Sequence, residues 1–195
     1  VTPPVAQAST RERLLSATLE LLAAGGYADA TVARITGRAG VASGTLYRHF
    51  ASKEELFVEL FREICSGEID AMRAAAAELS DPLEQLTAAL ETFALRALAH
   101  PKLAWALLAE PVDPLVDAER LEYRRRYRDL VKGLLDEALE RGEIPPADTA
   151  LLAAAIVGGV GEVLVGPLSS RSDGVVRDAA LVAEIRTFAR RAAAA

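Results

Sequence analysis

Apolar residues recur along this chain at spacings of three and four, the period of a helix that buries one face. Leu14, Ala17 and Leu21 form one such stripe, and Leu56, Leu60 and Ile64 form another. No segment alternates apolar and polar residues between turn signals, so the pattern predicts an all-α chain with essentially no sheet. Start signals punctuate it. Ser9-Thr10-Arg11-Glu12 and Ser52-Lys53-Glu54-Glu55 are capping boxes, in which the serine oxygen accepts from a free backbone N–H and the glutamate reaches back. Asp81-Pro82-Leu83-Glu84 is a third start, with proline at the first helical position where its missing donor does not matter. Asp148, after Pro145-Pro146, is a fourth, and Gly25-Gly26 stops the first helix.

Between Gly26 and Ser52 the rhythm shortens. Thr31 can cap a helix running to about Arg38, Gly40-Val41-Ala42 makes a turn, and Ser43 to Phe50 forms a second short helix. From Glu54 onward the helices lengthen, which places a domain boundary inside the long helix that begins near Lys53. The expected units are a three-helix domain over residues 9–62 and a helical domain over residues 63–195. Pro101, Pro111, Pro114 and Pro145-Pro146 cut the second unit into segments, for about nine helices in all. Residues 1–8 and Ala192 to Ala195 read as frayed ends.

Composition adds a compartment and an electrical asymmetry. The chain is 51% hydrophobic and 26% charged, the profile of a soluble globular protein. Cys65 is the single cysteine, so no internal disulfide argues for secretion. Val1 to Ser9 is uncharged and carries Pro3-Pro4, unlike a signal peptide. The apolar run Leu151 to Val160 is broken by Gly158 and Gly159 and closed by Glu162, and reads as too short to span a bilayer. A cytoplasmic protein without a membrane partner is the expectation. Net charge is −6, which alone argues against a polyanionic partner. Residues 1–53 nonetheless carry six basic side chains against three acidic ones, so +3 sits on the N-terminal block and −9 on the rest. That distribution fits one face made for phosphates.

Two short helices joined by a glycine-containing turn, inside a basic domain, form a helix-turn-helix over about residues 32–51. The second helix of such a motif enters the major groove, and its N-terminal residues meet base edges. Here Leu46 and Phe50, with Val41, face the core, leaving Ser43, Thr45, Tyr47, Arg48 and His49 for the other side. Gly44 lets the helix end approach DNA closely. Lys53 adds charge at a helix start whose N–H groups already favour an anion. Arg34 and Arg38 stand four apart on a helix face, an ordinary solvated pattern that gains meaning beside the turn; Arg34 joins the candidate DNA contacts.

At these residues the chain resembles the TetR family of repressors. Thr31-Val32-Ala33-Arg34-Ile35, Ala39-Gly40-Val41, Gly44-Thr45-Leu46-Tyr47-Arg48-His49-Phe50 and Ser52-Lys53-Glu54-Glu55-Leu56 are similar to that family's DNA-binding signature, over roughly Thr10 to Phe61. The resemblance implies that Thr31, Thr45, Tyr47, His49 and Lys53 bind phosphates and that Ser43, Gly44 and Arg48 lie nearest the bases. The family often has serine where this chain has Ala42 and a small apolar residue where it has Thr36. Losing a serine cap costs about 1 kcal/mol. The resemblance further implies a dimeric regulator, a repressor released from a palindromic double-stranded operator by a small-molecule effector.

In the C-terminal domain the resemblance is one of layout. The segment Leu151 to Val165 is apolar nearly all round and must be buried on all sides. In the family the last two helices of each subunit pair with their counterparts, which implies a homodimer interface containing Leu151, Ala155, Gly158, Gly159, Glu162, Val163, Leu181, Ile185 and Phe188. A central helix of a monomeric bundle would have the same composition. From Phe93 to Tyr127 large residues gather with sparse charges, as a small-molecule site requires. The candidate ligand residues are Phe93, Arg96, Trp105, Leu108, Glu110, Tyr123 and Tyr127, with Arg124 as a further charge that could reach the space; Trp105 suits plain core equally well. Arg124-Arg125-Arg126 reads as a solvated face, offset by Glu119, Glu122 and Asp129.

An enzyme is the main rival class. Two histidines, His49 and His100, and one cysteine leave few nucleophile or metal options, and no Cys-x-x-Cys, His-Glu-x-x-His or Gly-x-Ser-x-Gly pattern occurs. No catalytic residue, metal site or cofactor is expected. A helical binding module that no longer touches DNA is the second rival, and Tyr47, His49 and Lys53 speak against it.

Overall fold

A computed structural model describes residues 8–169 and 178–194. Its elements are α1 (Thr10–Gly25), α2 (Val32–Ala39), α3 (Ser43–Leu46), α4 (Lys53–Ala77), α5 (Pro82–Ala99), α6 (Pro101–Leu108), α7 (Pro114–Glu140), α8 (Thr149–Leu168) and α9 (Asp178–Ala194). All regular structure among the described residues is helical, as the periodicity requires.

The anticipated caps form. Ser9 accepts from the Glu12 N–H while Glu12 accepts from the Ser9 N–H, a complete capping box. Thr31 accepts from Arg34 N, Ser52 from Glu55 N, Asp81 from Leu83 N and Glu84 N, and Asp148 from Ala150 N and Leu151 N. Pro101 and Pro114 open α6 and α7 at the positions where proline costs nothing. At the other end, α9 continues through Ala194 rather than fraying at Ala192, because Ala189 and Ala193 are buried. The fraying expected at residues 1–7 and at Ala195 lies outside the described residues.

Two apolar clusters hold the chain. The first joins α1–α4 to Ala106, Val116, Tyr123 and Tyr127, so the N-terminal helices pack directly on α6 and α7. The second is built from α5, α7, α8 and α9 around Leu86, Leu135, Ile156 and Leu164. Helix α8 turns Ala153, Ile156, Val160, Leu164 and Leu168 inward at helical spacing. Burial on all sides is not realised within one chain, since Leu151, Ala155, Gly158, Glu162 and Val163 face outward. At 20 residues and mean hydropathy 2.0, α8 is also long and apolar enough to cross a membrane by length and composition, contrary to the expectation from its shorter glycine-broken run.

Candidate nucleic-acid interface and effector cavity

Helix α2, the turn at Gly40 and helix α3 form the helix-turn-helix. Gly40 adopts the left-handed conformation (φ 65°, ψ 40°), and Val41 N donates back to Thr36 O at 2.9 Å, closing α2. Arg13 of α1 donates to the Ala39 carbonyl and to Gly40 O (3.2 Å), fixing the turn from behind. Thr36, buried where an apolar residue is common, donates to Val32 O at 2.9 Å and meets Ser43 Oγ at 3.4 Å, so its hydroxyl is satisfied. Ala42 provides no side-chain cap for α3.

Helix α3 is shorter than expected. Its α-helical span ends at Leu46, and Arg48 N and His49 N donate three residues back, to Thr45 O and Leu46 O. The tightening follows from Leu46 and Phe50, which are both buried and pull the chain toward the Ser52 cap. Ser43, Gly44, Tyr47 (57% exposed), Arg48 and His49 are left on the surface, and Thr45 is half-buried. Lys53 projects from the first turn of α4, its ammonium 4.7 Å from the Tyr27 ring centroid and 5.4 Å from that of Phe57. Arg34 is tied to Asp29 (3.1 Å) and Arg38 to Glu20, whereas Arg48 and Lys53 pair with no carboxylate among the described residues. Thr31 spends its oxygen on the α2 cap but stays exposed.

The larger unit encloses a cavity of about 460 Å³ between α4, α5, α6, α7 and α8, within the usual range for a small-molecule site. Phe93, Arg96, Leu108, Tyr123 and Tyr127 line it as anticipated. Trp105 and Glu110 do not. Helix α6 presents Leu103, Ala104, Leu107 and Leu108 to the space, an arc that at 100° per residue excludes Trp105. Trp105 instead packs, half-buried, against the second cluster. Glu110 follows the end of α6 and points to the loop after α1, accepting from Tyr27 N at 2.8 Å.

The interior is apolar, with a few polar groups internally satisfied. Tyr123 donates to Arg62 O (2.9 Å) and lies 2.8 Å from Ser66 Oγ. Burial pushes the Cys65 thiol up to about 12 and raises the neighbouring Tyr127 phenol, so neither ionises near neutrality. Charge gathers among the remaining lining residues: Arg96, Arg120, Arg124, Arg125 and Arg128 against Glu68 and Glu162. Arg96 is held by Glu68 through two bonds (2.6 and 2.8 Å), and Arg125 by Glu122 (2.7 Å). Arg124 and Arg128 are exposed and pair with no carboxylate among the described residues. Sequence reasoning put Arg124 among the cavity charges but missed Arg120 and Arg128. Their spacing of four, extended from Arg124, was the available signal.

Of the anticipated dimer residues, Leu151 (68% exposed), Ala155, Gly158, Glu162, Val163 and Phe188 form an outward face, with Gly159 and Leu181 half-exposed beside them. Ile185 is a correction: it is buried in its own chain's second cluster. No group of three metal-ligating side chains is assembled among the described residues.

A helix-turn-helix head with unpaired cations, carried on a helical body that contains an amphiphilic cavity, defines a ligand-responsive DNA-binding regulator. Known proteins agree. Residues 14–60 match the profile of bacterial regulatory proteins of the tetR family, and residues 79–164 that of the tetracyclin repressor-like C-terminal domain. The chain is 31% identical over 151 residues to the HTH-type transcriptional repressor KstR2 of Rhodococcus jostii (strain RHA1), covering 73% of this chain and 74% of that protein. It is 28% identical over 155 residues to the fatty acid metabolism regulator protein of Bacillus subtilis (strain 168), covering 78% and 80%. The fatty acid degradation regulator FadR from Bacillus halodurans superimposes with a TM-score of 0.81 at 26% identity, over 95% of this chain and 96% of that one. FadR from Bacillus subtilis, solved in complex with stearoyl-CoA, gives 0.78 at 24% identity, over 93% and 96%. This chain belongs to the tetR family of bacterial regulatory proteins.

Proposed function

We propose that the protein is a cytoplasmic, homodimeric repressor that releases a palindromic operator when a long-chain acyl-CoA fills its cavity. The observation that carries the ligand assignment is the cavity's division of character. Its apolar interior suits an acyl tail, while Arg124 and Arg128, with no carboxylate partner among the described residues, suit a polyanionic head. Stearoyl-CoA, the ligand of the Bacillus subtilis neighbour, has that chemistry. The repressor reading is supported by the likeness to KstR2.

In the reading head, Arg48 contacts base edges together with Ser43 and Gly44. Thr31, Arg34, Thr45, Tyr47, His49 and Lys53 hold the phosphate backbone. The head ends and the effector body begins near residues 62 and 63, inside α4. Dimerisation covers the outward apolar face of α8 and α9, since exposed leucine, valine and phenylalanine on one stripe call for a partner. A two-fold dimer presents two recognition helices, so half-sites lie about one helical turn, or roughly 10 bp, apart. The test is selection of duplexes from a random pool, followed by addition of stearoyl-CoA. Symmetric half-sites and release are expected; an asymmetric site, or complexes that persist at saturating stearoyl-CoA, would contradict the proposal.

A further inference from the structure

Glu110 was expected in the cavity, and its actual position gives it another role. It stands at the corner between α6 and α7, half-buried, with its carboxylate aimed across the junction between the two units. One oxygen accepts from Tyr27 N at 2.8 Å, and the other lies 3.5 Å from Ala28 N. These donors belong to the loop after α1 in the DNA-gripping unit, where the first helix has just ended at Gly26. Beside this contact, Lys102 of α6 donates to Ala24 O at the end of α1. The two ends of α6 thus tie down the last turn of α1 and the loop after it, one through an ammonium and the other through a carboxylate.

Each end of the contact continues into something functional. On the head side, the Tyr27 ring packs on Phe57 with centroids 4.4 Å apart, and the pair forms the aromatic seat of the Lys53 ammonium. On the body side, Arg120 lines the cavity and holds the corner's backbone. It donates to Leu107 O at 2.9 Å, Ala106 O at 3.3 Å and Glu110 O at 2.8 Å. Five groups in series therefore join cavity wall to phosphate grip: Arg120, the Glu110 backbone, the Glu110 carboxylate, Tyr27 and Lys53.

We infer that Glu110 is a positioning residue for DNA binding, which acts by holding Tyr27 beneath Lys53. A carboxylate bonded to backbone N–H groups is a stronger and more directional tie than an apolar contact. It fixes the loop's height against α6, and with it the ring on which the Lys53 ammonium rests. Because Arg120 shares the corner's carbonyls with the cavity wall, movement of that wall reaches Lys53 by this route as well as along α4. The inference rests on the assignment of Lys53 to phosphate.

The experiment is a double-mutant cycle on operator affinity in the full chain, measured with a duplex selected by the wild-type protein. Glu110→Ala is expected to weaken binding about fivefold in the wild-type background and less than twofold beside Lys53→Ala, because contacting residues couple. Glu110→Gln keeps one acceptor oxygen and should fall between wild type and alanine; it supplies a second cycle if the alanine variant folds poorly. A residue of purely structural importance would cost the same factor in both backgrounds. Equal losses, or no loss in either background, overturn the inference. If Lys53→Ala alone leaves both affinity and salt dependence unchanged, the phosphate assignment fails and the inference falls with it. If Lys53→Ala weakens binding but the cycle is additive, only the role of Glu110 fails.

Discussion

Replacing Gly26 with alanine strains the chain in two separable ways. Gly26 is buried, with φ 80° and ψ −172°, a region open essentially only to glycine, and an L-residue there costs about 1–3 kcal/mol. The new Cβ would also lie 2.9 and 3.0 Å from the two carboxylate oxygens of Glu110. Relieving that contact means swinging Glu110 away from Tyr27 N. A charged hydrogen bond contributes about 1.5–3 kcal/mol net, and half-burial reduces this to about 1 kcal/mol here. Together the terms give a loss of about 3 kcal/mol, or roughly 6–12 °C in Tm for a chain of this size. Thermal unfolding followed by circular dichroism measures it. Gly133→Ala is the control, an exposed position in α7 where a Cβ meets nothing, and it should stabilise by about 0.5–1 kcal/mol. Glu110→Ala removes the contact but not the backbone penalty, so Gly26→Ala should cost about 1 kcal/mol less in that background. An unchanged Tm for Gly26→Ala, or the same cost in both backgrounds, would refute this reasoning.

The double variant Arg124→Ala/Arg128→Ala should bind stearoyl-CoA about tenfold or more weakly by calorimetry, with ligand-free operator affinity near wild type, since a charged contact contributes about 1.5–3 kcal/mol. Unchanged stearoyl-CoA affinity would remove the arginines from the head-group site. Leu151→Glu/Val163→Glu should sediment as a monomer at micromolar concentration and lose operator binding while remaining helical; a dimer would place the interface elsewhere. Cys65, raised from 9.0 to about 12 by burial, favours the folded state while protonated. Its contribution is complete below pH 9 and is lost between about pH 9 and 12, by up to about 1.4 kcal/mol per pH unit. Thiol reagents at pH 8 should therefore label the folded protein far more slowly than the unfolded, and Cys65→Ala should flatten the alkaline loss of stability. Rapid labelling of the folded chain would contradict the burial argument.

The local half of this structure was legible because its signals are local. A serine, threonine or aspartate just before an apolar stripe has one favourable use, and Ser9, Thr31, Ser52, Asp81 and Asp148 each take it. The helix-turn-helix followed from spacing and from Gly40, whose left-handed turn the motif needs. The cavity was legible only as a region. Which of Trp105, Leu107 and Leu108 faces inward depends on the rotation of α6, and that is set by packing against α1 and α8 rather than by its own sequence. Glu110 lies just beyond a helix end, where the chain's direction carries no periodic signal, so its reach across 83 residues to Tyr27 was invisible. Arg120 was missed for a related reason: its guanidinium serves backbone carbonyls, which leave no mark in a sequence. Ile185 shared the stripe of α9 with Phe188, but only the fold distinguishes the face turned to the chain's own core from the face turned outward.

Reciprocal titration bears on all of this at once. Operator affinity is measured with and without saturating stearoyl-CoA, and stearoyl-CoA affinity with and without saturating operator. A ligand held in the α4–α8 cavity that controls the reading head must change both affinities by one common factor, typically about 5–150-fold. We expect that factor to appear as weaker operator binding and, equally, as weaker stearoyl-CoA binding. Stearoyl-CoA affinity that is the same on free and operator-bound protein would contradict the assignment of the cavity as the control site.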